Sequence, residues 1–118
     1  MGTNYYWQWK TESGRYKDLH IGKCSYGWQF YFQGYNDFES PDGKHIKSWK
    51  DWQRVFENCK GKIYDEYDER IPVEYFKTIV EETKGGKDHR GLSKEYPSLK
   101  EHEWQDEEGW DFTWLEFS

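Results

Sequence analysis

Apolar positions in this chain fall into two periods. Trp28, Phe30 and Phe32 recur at every second residue, which puts three rings on one face of a strand spanning residues 27–34. Trp52, Val55, Phe56 and Cys59 recur at i, i+3, i+4 and i+7, and Ser48 followed by Asp51 resembles a capping box, so residues 49–59 read as an amphipathic helix that Gly61 ends. A second helix begins at Pro72, carries Val73, Phe76, Ile79, Val80 and Thr83 on one face, and stops at Gly85-Gly86.

Four further strands fit between and around these elements. Asn4-Tyr5-Tyr6-Trp7-Gln8-Trp9 is dense in strand formers and ends at the polar turn Glu12-Ser13-Gly14-Arg15, with a short hairpin partner at residues 19–23. Residues 62–67 form a fourth strand, and Trp110 to Phe117 a last one that pairs centrally or with the first. Residues 36–47, around Pro41-Asp42-Gly43, and residues 87–103 read as loops, the second with a turn of helix at 98–102. The expected fold is α+β, a small antiparallel sheet of about five strands packed against two helices, in one domain spanning 1–118.

Composition changes this picture in one respect. The chain has eight Trp, ten Tyr and seven Phe but only four Leu, five Ile and no Ala, so its core must be aromatic. Buried Tyr and Trp carry polar atoms that need partners, and a surplus of such rings suggests that some line a pocket. Cys24 and Cys59, with no Cys-x-x-Cys partner, read as reduced and mostly buried thiols.

Charge narrows the partners. The net charge of -6 is uneven: residues 1–62 hold ten Lys and Arg against seven Asp and Glu, and the remainder holds seven against sixteen. An acidic second half disfavours direct binding of DNA or RNA, which needs a concentrated basic surface. Neither a membrane-length apolar run nor a signal-peptide pattern is present, which points to the cytoplasm.

Candidate chemistry concentrates in His20-Ile21-Gly22-Lys23-Cys24-Ser25-Tyr26-Gly27-Trp28, where imidazole, ammonium, hydroxyl and turn amides stand close together in a manner suited to phosphate. The pattern is not a P-loop, and a plain hairpin explains it as well. Tyr5, Trp7, Tyr26, Tyr31, Trp110 and Trp114 are candidates for stacking on a base. His89-Arg90-Gly91 offers a fork-shaped donor in the long loop. Asp65-Glu66-Tyr67-Asp68-Glu69-Arg70 is either a solvated charged turn before a helix or a carboxylate cluster for a cation, a ribose hydroxyl or acid–base work. The segment Glu101 to Glu108, with Trp104 among five acids, is either solvated charge or a surface that imitates nucleic acid or docks on a basic protein.

Met1-Gly2-Thr3-Asn4-Tyr5-Tyr6, His20-Ile21-Gly22-Lys23 with Ser25 and Gly27-Trp28, Trp49 to Trp52, Asp65-Glu66-Tyr67, and Gly109-Trp110-Asp111 with Phe117-Ser118 resemble a family of short bacteriophage proteins. The resemblance spans most of the chain and implies an accessory product working in the host cytoplasm, where such proteins commonly counter host defence. Relatives of this kind often carry a zinc-like, Cys-rich insertion. Here the first loop has no Cys and the second only His89 and His102, so no metal and no cofactor are expected.

Two functions follow as expectations. The first is sequestration of a small nucleotide-type immune signal in an aromatic and cationic pocket made from Tyr5, His20, Lys23, Ser25, Tyr26, Arg90 and Trp110. The second is inhibition of a host nuclease or other defence protein by an acidic surface that imitates nucleic acid. A hydrolase is the weakest reading, because no nucleophile and base stand at a supporting spacing. The aromatic terminal strand leaves room for a homo-oligomer.

Overall fold

Strand-forming residues at the start of the chain build the longest hairpin of the computed structural model, which describes residues 2–87, 102–115 and 117. Strand β1 (Gly2–Lys10) pairs antiparallel with β2 (Tyr16–Ser25), and the register slips between Tyr5 and Tyr6, leaving Ile21 as a bulged extra residue. Then follow β3 (Tyr31–Gln33), α1 (Trp49–Asn58), β4 (Lys62–Asp65), β5 (Arg70–Ile71), α2 (Val73–Glu82), β6 (Glu103–Gln105) and β7 (Asp111–Thr113).

The strands form one open sheet in the order β5-β4-β1-β2-β3-β7-β6. All neighbours are antiparallel except β3 and β7, which run parallel with Phe32 opposite Phe112. The α+β class holds, but the described residues form a seven-stranded mixed sheet where about five antiparallel strands were expected. Strand β5 has two residues, and β6 lies in an acid-rich stretch; neither carries a hydrophobic alternation.

The strand expected over 27–34 is also shorter. Trp28 N–H donates to Ser25 O and closes a turn, while Gln29 N–H donates to Lys87 O and Phe30 N–H to the Thr83 hydroxyl, so these two amides turn to the segment that ends α2 rather than to a strand. Last, β7 pairs with β3 and β6, not with the first strand.

Both helices form where the spacing placed them. Ser48 caps α1 by accepting the Asp51 N–H at 3.0 Å, and Pro72 precedes α2 with its carbonyl accepting the Phe76 N–H. The helices cover one face of the sheet, and the core between them is aromatic: Trp7, Trp49, Trp52, Trp110, Phe30, Phe32, Phe76 and Phe112 are essentially inaccessible. Phe32 lies 4.5 Å from Phe30, 4.9 Å from Phe112 and 5.2 Å from Trp49 between ring centroids. Cys24 and Cys59 are free thiols at half-buried positions, and burial pushes both up from the ordinary thiol range. No helix among the described residues is long and apolar enough to cross a membrane.

Candidate functional site

Alternation along β1 decides which residues can share a site. Tyr5 and Trp7 point to the helices, and Asn4, Tyr6 and Gln8 to the opposite face. That open face is lined with paired polar groups. His20 Nε2 and Asn4 Oδ1 lie 2.8 Å apart, Tyr31 donates its hydroxyl to Glu103 at 2.7 Å, and Gln105 donates to Asp111 at 2.9 Å. The Phe117 ring packs over His20 and Tyr31, 4.7 Å from each.

The residues expected to form a nucleotide pocket are separated by this geometry. Tyr5 is 7 % exposed and Trp110 1 % exposed; both are core rings on the helix side, without a face to offer a base. His20 and Lys23 belong to the other face of the sheet. Tyr26 stands 99 % exposed at the tip of a turn whose Gly27 has φ 83°. Arg90, like His89, lies outside the described residues.

Of that set, Ser25 and Tyr26 do meet, in a pocket of about 490 Å³ with Trp28, Ile79, Glu82, Lys84 and Gly86. The pocket is bordered by the end of α2, where carbonyls and the helix dipole present negative charge, and Glu82 adds to it. Lys84 is the one basic side chain in the lining set against this negative charge. Among the described residues, no group of three or more His, Cys, Asp or Glu is arranged to hold a metal ion.

A different pocket, of about 420 Å³, opens on the polar face across β1, β2 and β4. Its lining is Tyr6, Gln8, Asp18, Tyr64, Asp65, Glu66 and Asp68. Tyr6 and Tyr64 are directly opposite in the β1–β4 register, and Gln8 faces Asp18 across β1 and β2. Asp18, Glu66 and Asp68 thus stand by two phenol rings, with buried Asp65 at the edge and no basic side chain in the lining.

Two of these acids also hold the backbone. Asp65 Oδ1 accepts the N–H groups of Tyr67 and Glu69 at 2.9 Å each, which closes the β4–β5 turn, and Glu66 Oε1 accepts the Asn4 N–H at 2.9 Å. Burial first, then the negative charges of Glu66 and Asp18, raise the Tyr6 hydroxyl above the ordinary phenol range. The sequence singled out residues 65–69 but not Tyr6, Asp18 or Tyr64, which only strand pairing brings to them.

The acidic segment before β7 has largely structural duties. Asp106 accepts the N–H groups of Trp49, Glu108 and Trp110, Glu103 accepts from Tyr31, and Glu107 pairs with Lys50 at 3.1 Å.

A third pocket, of about 580 Å³, lies where the parallel strands β3 and β7 end, lined by Gln33, Gly34, Tyr35, Asn36, Glu39, His102 and Trp114. Trp114, a stacking candidate in the sequence, is half-buried here; Gln33 carried no signal beyond its place in a strand. Comparison with protein-family models, curated proteins and solved structures finds no match to this chain.

Proposed function

We propose that this protein works by binding, and that its acidic pocket on the open face of the sheet docks onto a cationic surface of another protein. The observation that carries this reading is the lining of that pocket: two tyrosine rings among Asp18, Asp65, Glu66 and Asp68, with no Lys or Arg among them. Among the described residues none of these four acids makes an ion pair. Aromatic rings beside carboxylates suit guanidinium and ammonium groups, which stack on the former while pairing with the latter.

The likeness to short phage proteins suggests the kind of partner: a host nuclease or defence effector whose basic channel normally receives nucleic acid. An acidic surface competes there by charge, and its gain is largest in association rate and specificity. The nucleotide-sponge reading finds less support, because Tyr5 and Trp110 lie on the helix side of the sheet and His20 and Lys23 on the other.

The test is capture of host proteins by the immobilised chain across a salt series, beside the triple variant Asp18→Asn, Glu66→Gln, Asp68→Asn. The amides keep the shape and the hydrogen bond to Asn4 while removing charge. Capture should weaken steeply as the Debye length falls from about 10 Å at 0.1 M salt toward about 3 Å at 1 M. It should also be displaced by duplex DNA. Equal capture by the variant, or capture indifferent to salt, would refute the reading.

A further inference from the structure

Gln33 presents an incomplete hydrogen-bond arrangement beside an open pocket. The residue is 2 % exposed, and its Nε2 donates to the carbonyls of Thr113 at 3.3 Å and Trp114 at 3.0 Å. Its Oε1 is buried and accepts no hydrogen bond among the described residues. Turning the amide over would set oxygen against the two carbonyl oxygens, so the assignment stands. Buried carboxamides are nearly always satisfied on both sides, which makes this one unusual.

The third pocket adjoins it. Trp114 and Tyr35 contribute ring surface to the lining, and Asn36, Glu39 and His102 contribute polar groups. The Trp114 indole is held in place by Trp104, 4.6 Å away between centroids, and by the Lys47 ammonium 5.5 Å from its ring. The lining thus pairs stacking surface with polar groups, and the buried oxygen of Gln33, itself a lining residue, lacks a donor among the described residues.

We propose that this pocket takes a planar heterocycle bearing an exocyclic amino group, of the nucleobase kind, as a single nucleoside stacked on Trp114. Gln33 lines the pocket, and its side-chain oxygen is buried out of contact with solvent. A ligand N–H that reaches it as the wall yields makes a hydrogen bond that the free protein leaves unmade, and this favours the bound state. Rings without N–H donors gain no such bond. This site uses none of the seven residues first expected to hold a nucleotide, and it shares no residue with the acidic pocket.

The experiment is a titration of the full chain with adenosine, followed by amide and side-chain NMR. The Gln33 side-chain NH₂ and the Trp114 indole N–H should shift together along one saturable curve. N6,N6-dimethyladenosine, which keeps the stacking ring and lacks the amino donors, should bind roughly tenfold more weakly, the effect of one lost hydrogen bond. Trp114→Leu leaves Gln33 in place and should also weaken adenosine binding roughly tenfold. The acid-neutralised triple variant should bind adenosine as the parent does, which separates this site from the docking surface. No saturable shift at Gln33 and Trp114, equal binding of the two nucleosides, or full affinity in Trp114→Leu would each overturn the proposal.

Discussion

The Asp106 carboxylate accepts the backbone N–H of Trp49 at 2.8 Å, joining the turn before β7 to the first residue of α1. Its other oxygen takes the N–H groups of Glu108 and Trp110 at 3.0 and 2.8 Å. One side chain therefore stabilises a helix start and a turn that lie 57 residues apart in the chain. Asp106→Ala should destabilise the fold by about 1–2 kcal/mol, the range for a lost helix cap, measured by urea unfolding. Asp106→Asn retains an acceptor and should lose less.

Arg54 ties α1 to the loop before it. Its guanidinium meets Asp42 at 2.7 Å, Asp51 at 2.8 Å and the His45 carbonyl at 3.2 Å, with both ion-pair partners largely shielded from solvent. Arg54→Ala should cost on the order of 1.5–3 kcal/mol, and Arg54→Lys should recover little, since an ammonium cannot reproduce the fork. Burial raises the Asp42 carboxyl, but the Arg54 guanidinium, the Ser40 hydroxyl and the Lys44 N–H outweigh it and hold it below the ordinary carboxylate range. A carboxyl depressed in the folded state stabilises above its unfolded pKa, and that stability is lost as pH falls through the folded value. Stability measured from about pH 5 downward should therefore fall less steeply in Arg54→Ala than in the parent.

What the sequence made legible is what depends on near neighbours. The period of Trp52, Val55, Phe56 and Cys59 placed α1, and Ser48 with Asp51 placed its start. Aromatic composition announced the core. Strand pairing was not legible: β6 follows a polar stretch, and Gln29 and Phe30 lose their strand partners to Lys87 and Thr83. The same limit applies to the sites. Tyr6, Asp18 and Tyr64 meet only through the registers of β1 with β2 and β4, and Tyr5 and Trp110, attractive as ligand rings by type, are consumed by packing.

Gly22 and Gly27 need glycine for opposite reasons. A Cβ on Gly22 would lie 2.2 Å from the Tyr31 carbonyl oxygen, fixed in the sheet, and 2.5 Å from the Phe30 ring, buried in the core. At Gly27 the surroundings are open, but φ is 83°. Gly22→Ala should cost roughly 3 kcal/mol or more, as overpacking against backbone does, whereas Gly27→Ala should cost about 1–2 kcal/mol from left-handed strain. Thermal unfolding of the two variants side by side tests the ordering; equal losses would contradict it.

Alkaline pH probes the aromatic core directly. Burial chiefly, with added negative neighbours such as Cys24 and Asp65, pushes the Tyr5 hydroxyl up to about 12, and burial with the hydrogen bond to Glu103 pushes Tyr31 further still. In the unfolded chain both phenols ionise near pH 10. Between the two values the unfolded state has released protons that the folded state retains, so each tyrosine lowers stability as pH rises through that window and contributes fully below it. Urea unfolding from about pH 8 to about pH 12 should show stability falling with increasing slope above about pH 10. Tyr5→Phe keeps the ring against Phe76, 5.1 Å away between centroids, and removes the ionising group. It should leave neutral-pH stability close to the parent's and make the alkaline fall shallower, because one fewer proton separates the two states. An unchanged slope in Tyr5→Phe would mean that the Tyr5 hydroxyl ionises alike in both states and is not held protonated by the core.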